Sequence, residues 1–335
     1  MSTSNDAEPP SSHDLLGLWV RIATADGRCP LSSLAARTAI AYARTVLGVA
    51  LDRQALTSVG GGTPSADVVA AHLHHLGLAV VVDAPLDPRR IDTFAGILDA
   101  SGLSHPIAAD LGAIARGRVL GPRLRITSRI LRNRFGTSML SALGRTLALR
   151  VRPDRVGYAR YAALDDAPPR SFAASLRGYY RDNEFPMPGM RSGFPLSLVA
   201  VHDVAHVLGG FDTTHTGELL VSAFETGVSG GAWVDYWVGG MLHCQLGFAL
   251  EPGAAPAFGQ FPPERFYAAY ARGCGAERSL VDPSWDFWPL VHRPLESVRM
   301  QLGITGTSEV ESGVDAWCGP GGPPYQRPVP APLSA

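Results

Sequence analysis

The chain contains no lysine: all 29 of its basic residues are arginine. That excludes a Schiff-base lysine, a pyridoxal-phosphate anchor and the lysine of a phosphate-binding P-loop. Cysteine is scarce. Cys29, Cys244, Cys274 and Cys318 lie far apart with no C-x-x-C pair. Their spacing argues against a disulfide framework or a structural zinc knuckle and predicts reduced thiols in a cytoplasm. Net charge is almost absent, −1 at neutral pH, so no global basic field draws in nucleic acid. A clean membrane-spanning run is also lacking. The nearest, residues 228–250, carries Asp235, His243, Gln245 and several glycines. Charge at bilayer depth is expensive, so this segment reads as a buried core helix or a surface that meets lipid. The first twelve residues are polar and hold neither an apolar run nor an arginine. They predict a disordered leader rather than a signal peptide or mitochondrial presequence.

What is present is helical periodicity in a 335-residue chain that is 46% hydrophobic and 18% charged. "DLLGLWVRIATADG" and "LSSLAARTAIAYARTVLG" place apolar residues at three- and four-residue steps and end on Gly27 and Gly48. The stretches beginning at Pro64, Asp87 and Ser104 repeat the pattern. The expected fold is all-α. The expected organisation is a leader (1–12), an accessory helical domain (13–118), a metal-binding helical domain (119–318) and a Pro/Gly-rich extended tail (319–335). Residues 116–134 hold seven arginines. They read as a solvated or domain-joining helix; an anionic membrane surface or a phosphorylated substrate is the functional alternative. Residues 150–194 read as loop with one short helix, "FAASLRGYYRDN", before Pro195 opens the next helix. His72, His74 and His75 read as surface or rim residues.

The chemistry-bearing stretch is "HDVAHVLGGFDTTHTGE", residues 202–218. On a helix, His206 lies about 40° and Asp203 about 100° around the axis from His202. Two imidazoles at that spacing can grip one metal ion, and Asp203 can be a third ligand or orient a ligating ring. After the Gly209-Gly210 break, Thr214 or Thr216 can cap a second helix. Glu218 would sit in its first turn and share a face with Ser222 and Glu225. If the two helices pack as a hairpin, Glu218 closes the coordination shell. His215 then faces solvent or guards the entrance. Ten histidines supply about 0.3 such pairs by chance, so the pair alone is weak. Its polar neighbours in apolar helices strengthen it, because buried polar groups need partners. A hydrogen-bonded structural cluster is the alternative. Histidine and carboxylate donors without thiolate suit zinc, and equally iron or manganese.

Further matches extend the motif. His-Asp-x-x-His, eleven residues and Glu218 resemble the signature of the coenzyme Q (ubiquinone) biosynthesis protein 4 family, the Coq-four family. "TGELLVSAFE" (216–225) and "WPLVHRPLESVRMQLGI" (288–304) are similar to its later helices. The resemblance spans about residues 120–305 and is concentrated in 198–226 and 285–304. In place of the family's Ser-Pro-Asp-Thr-Arg-type stretch stands "YYRDNEFPMPGMRSGFP", which implies a divergent bacterial branch. The resemblance implies a zinc site of His202, Asp203, His206 and Glu218 and a groove for a prenylated or other lipophilic aromatic ring. It also implies oxidative decarboxylation at ring carbon C1 and partnership with other biosynthetic enzymes; a homo-oligomer is a separate expectation. The expected location is the bacterial cytoplasm, peripheral to the inner face of the membrane. The N-terminal region loosely resembles a tellurite-resistance TerB-type helical domain.

Three functions follow. In the first, a metal-dependent enzyme, Asp203 or Glu225 moves protons and Trp233, Tyr236 and Trp237 line the groove; for those aromatics ordinary core packing is the alternative. The second is an HD-type phosphohydrolase recruiting His105 with Asp235 or Asp282. The third is a lipid-binding scaffold with a structural metal, which four protein ligands would favour, whereas an exchangeable Asp203 would favour catalysis.

Overall fold

The computed structural model describes residues 12–59, 62, 64–250, 254–282 and 284–305. The expected leader falls outside this set apart from Ser12; the expected tail and Cys318 lie wholly outside it. Among the described residues the chain is all-α, with two isolated backbone bridges and no sheet. Six helices precede residue 118: α1 (Ser12–Ala23), α2 (Ser33–Thr45), α3 (Ala66–Ala71), α4 (Leu73–Val81), α5 (Pro88–Ala100) and α6 (Ile107–Ala115). The arginine-rich stretch becomes α7 (Leu120–Phe135). The region read as loop holds α9 (Arg155–Ala162) and α10 (Phe172–Asp182), preceded by α8 (Met139–Val151). The remainder comprises α11 (Leu196–Gly209), α12 (His215–Ser229), α13 (Val234–Cys244), α14 (Pro263–Cys274) and α15 (Leu295–Gln301).

Local chemistry explains the boundaries. Ser32, Ser138, Asp154, Ser171 and Thr214 each accept a hydrogen bond from a first-turn amide, which satisfies a donor the helix leaves open. Helices from both sides of residue 118 share one hydrophobic core that runs from Leu16 to Ile304. Within it α4 packs on α13 and α2 on α14. The tightest pair is α12 with α14, whose backbones meet at Gly227 and Gly273. A Cβ on Gly273 would stand 2.0 Å from the Phe224 carbonyl oxygen. Only glycine permits that approach.

One expectation changes here. His74 and His75 are not rim residues. Both are buried, stacked among Tyr42, Trp237, Tyr267 and Tyr270. Apolar neighbours at positions 73, 76, 78 and 79 turn α4 into a helix that is buried all round. Of the two readings of 228–250, the buried core helix holds over α13, which lies in the core. No described helix is long and apolar enough to cross a membrane.

The buried histidines have a consequence for stability. Burial lowers the His74 pKa to about 3 and puts His75 well below the ordinary histidine value. Both rings are neutral in the folded chain, whereas in the unfolded chain they take up protons below about pH 6.5. Stability is therefore complete above that pH and is lost as pH falls toward 3, at about 1.4 kcal/mol per pH unit per group. Urea titrations between pH 7 and 5 are expected to show this decline. His74→Leu should reduce its slope by about one proton, and an unchanged slope would refute the assignment.

Candidate metal centre

The site begins with α11. Pro195 fixes the chain just before it, and Gly210 ends it in the left-handed region (φ +75°), with its amide bonded to the His206 carbonyl. Glycine adopts that conformation without strain, which lets the chain reverse. Asp212 accepts from both the amide and the hydroxyl of Thr214. Thr214 in turn caps α12 through the Gly217 amide. This places Glu218 in the first turn of α12, where the helix dipole favours a carboxylate.

The hairpin brings His202, His206 and Glu218 together as one metal-competent group. The two Nε2 atoms are 3.2 Å apart. Glu218 Oε2 lies 3.3 Å from His202 Nε2, and Oε1 lies 3.4 Å from His206 Nε2. Each ring is backed by a partner. His206 Nδ1 faces the Phe211 carbonyl oxygen at 3.3 Å, an acceptor only, so donation from Nδ1 turns Nε2 toward the site as the ligating atom. His202 Nδ1 faces Glu225 Oε1 at 3.2 Å. A cation between the two Nε2 atoms and the carboxylate satisfies all three, in the manner of carboxylate–histidine–metal triads.

Glu225 is fully buried and gripped by Arg134 of α7. Nη2 contacts Oε1 at 2.5 Å and Nε contacts Oε2 at 3.2 Å. Tyr236 donates to Oε2 at 2.7 Å. Burial opposes ionisation, but Arg134 and His202 outweigh it and hold Glu225 well below the usual carboxylate range. Glu218, though partly exposed, is also held well below the usual carboxylate range: His206 and His202 overcome the desolvation of its inward-facing carboxylate. Without a metal His202 is the proton acceptor of the group. Burial disfavours its cationic form, yet Glu225 and Glu218 raise it well above the ordinary histidine value. Glu225 is thus ionised and lies behind His202, in position to orient its ring.

Asp203 does not join the donors. Its carboxylate accepts from Tyr180 at 2.5 Å and from Tyr179 at 3.3 Å, which ties α11 to α10. The reason is angular: the turn that sends His202 and His206 toward α12 sends the next residue toward α10. Burial raises the Asp203 pKa, and the tyrosine hydroxyls offset this only in part. The two tyrosines belong to the "YYRDN" stretch.

The three expected groove aromatics separate. Trp237 is core, packed on His74 and Phe266 and donating to the Ser222 carbonyl. Tyr236 supports Glu225, and Trp233 lies over the Arg134 guanidinium at 5.4 Å. His215 points instead to the Ala255 carbonyl oxygen, at 2.7 Å. His105 and Asp235 pair with each other at 3.8 Å, and Arg129 holds Asp235. Asp282 is fastened to its own turn through Ser284. The metal-competent group contains none of these.

Sequence reasoning missed the groups that hold the metal helix in place. Arg299 donates to the carbonyls of Val207 and Leu208, and Arg272 to that of Gly209. They fill the acceptors that the end of α11 leaves open. The "PLESVR" segment thus acts on the site from a distance of about ninety residues. Arg134, inside the run read as solvated, was detectable only as one cation among seven. Comparison with known protein families, characterised proteins and solved structures finds no match.

Proposed function

We propose that His202, His206 and Glu218 hold a divalent metal, zinc before iron or manganese, in an open site that acts on a lipophilic aromatic or quinone precursor. The carrying observation is the convergence of two imidazole Nε2 atoms and one carboxylate, each imidazole backed by an acceptor. The two Nε2 atoms are 3.2 Å apart and each faces a different Glu218 oxygen, Oε2 at 3.3 Å from His202 and Oε1 at 3.4 Å from His206, separations that one small cation can span.

Three protein donors leave a position for water or substrate, the pattern of catalytic rather than structural zinc. The Glu218 side chain is 42% exposed and that of His202 20%, so solvent reaches the donors. This favours an enzyme over a scaffold. When bound, the ion supplies Lewis-acid binding of a phenolate or carboxylate oxygen. The chain's own part is positional: Glu225 and the Phe211 carbonyl orient the imidazoles, Arg134 neutralises Glu225, and Tyr179 and Tyr180 hold Asp203. A cavity of about 410 Å³ shares α11 with the centre and is lined by the aromatic Tyr161, Trp285, Phe287 and Trp288 together with the charged Asp154, Arg160 and Asp286, a setting for a planar ring that carries a polar group. The resemblance to the coenzyme Q biosynthesis protein 4 family supports the same substrate class and a decarboxylation at the ring.

Elemental analysis of purified wild type, His202→Ala and Glu218→Ala, with mass spectrometry of co-purified lipophiles, tests the reading. Stoichiometric metal is expected in the wild type and loss in both variants. Equal metal content in all three would overturn the site. Metal retained with no aromatic lipophile extracted would overturn the substrate class alone.

A further inference from the structure

We propose that the cleft between α1 and α5 binds a free α-amino acid with an apolar side chain. The cleft holds a cavity of about 370 Å³, the size of a small-molecule site. Its wall combines charge from Arg21, Arg28 and Asp92 with apolar surface from Leu18, Ile97 and Ala100. Gly96, also in the wall, points to a guest. It lies inside α5, where glycine is less stable than alanine. A Cβ on Gly96 would meet no protein atom within 4 Å. Packing among the described residues therefore does not require glycine there, whereas a molecule lying against the helix backbone does. Asp92, Gly96 and Ala100 follow at four-residue steps. They form one row along α5, each about 6 Å from the next, that runs from charge through open space to apolar surface.

The turn after α1 supplies the charged end. Ala25, Asp26 and Gly27 are left-handed in succession, at φ +50°, +54° and +80°. Alanine and aspartate take that conformation under strain, and such strain gathers at binding sites. The turn lets Asp26 accept from Arg21 Nε at 2.9 Å and sends Arg28 Nη2 to Thr93 Oγ1 at 3.0 Å. Among the described residues the terminal nitrogens of Arg21 and Nη1 of Arg28 stay open, and the Asp92 carboxylate has no partner. Open guanidinium donors suit a carboxylate, and the unpaired Asp92 suits an ammonium. A simple anion would leave Asp92 unanswered, and a simple cation would face two guanidiniums. A zwitterion satisfies both, and its apolar side chain then runs over Gly96 toward Ile97 and Leu18. The hydroxyls of Thr93 and Ser101 donate to carbonyls of their own helix, at 3.0 and 2.9 Å. With those hydroxyls engaged, the cleft binds rather than reacts. The proposal is independent of the metal reading.

Thermal melting and calorimetric titration of the full chain with leucine, methionine and phenylalanine test it. At least one of the three is expected to bind and to raise the melting temperature. Its amide lacks the carboxylate and its N-acetyl derivative lacks the ammonium; each should bind about tenfold or more weakly than the parent. Arg21→Gln and Asp92→Asn should weaken binding to the same degree. Their ligand-free melting temperatures should match the wild type, because both side chains are exposed. Gly96→Ala separates a ligand role from a structural one: the ligand-free chain should melt no lower than the wild type, while binding falls by about tenfold or more. Absence of any heat or melting shift at about 10 mM of all three amino acids overturns the proposal. So does binding that Asp92→Asn or Gly96→Ala leaves unchanged, or a derivative that binds as tightly as its parent.

Discussion

Replacing His206 with alanine is expected to lower metal affinity by more than about a hundredfold, beyond the 10–100-fold that loss of a merely supporting group causes. His206 is fully buried and offers one of only three donor atoms. Its loss leaves Glu218 and His202 facing each other with nothing to share. A metal that binds only the folded chain stabilises it by about 2.7 kcal/mol at a hundred times its dissociation constant. The wild type should therefore melt lower after chelation, and His206→Ala should melt at the same temperature with and without chelator. Asp203→Asn separates the two accounts of the site. Because Asp203 is engaged by Tyr179 and Tyr180, this variant is expected to retain metal. Metal loss in Asp203→Asn equal to that in His206→Ala would restore Asp203 as a ligand and refute the three-donor site.

The second large effect is expected at Arg134. Its guanidinium and the Glu225 carboxylate are 1% and 0% exposed. Removing one member of such a pair leaves a buried charge unanswered, at about 3–5 kcal/mol. Arg134→Met should therefore unfold at clearly lower urea. It should also bind metal about 10–100-fold more weakly, because Glu225 loses the guanidinium that fixes it behind His202. Arg134→Met combined with Glu225→Gln removes both charges and should recover much of the stability while metal affinity stays low. That split distinguishes a positioning role from a purely structural one. An Arg134→Met protein as stable as the wild type would sink the argument.

Parts of this molecule were legible in one dimension because their causes are local. Apolar residues at helical spacing, serine or threonine before a run and glycine after it identify α1, α2, α5, α11 and α12 without knowledge of their neighbours. The wedge that unites His202 and His206 follows from the helical turn alone. Other parts had no local cause. The same 100° step that made Asp203 attractive as a ligand sends it to Tyr179 and Tyr180, because α10 packs on that side. His74 and His75 looked like scattered polar residues until α1, α13 and α14 closed over α4.

What the sequence by itself determined is the helical class, the hairpin around Gly209-Gly210 and the candidate donors on it. Periodicity and capping act over a few residues, so they are written in the order of the chain. The tertiary structure alone decided which donors converge, which charge supports them and which apolar face is left over. Glu225 is tied to an arginine 91 positions away, and the end of α11 to Arg299 at a similar distance. Packing selects such pairs from many cations of equal local appearance. By the same selection, the outer leucines of α8 stay exposed.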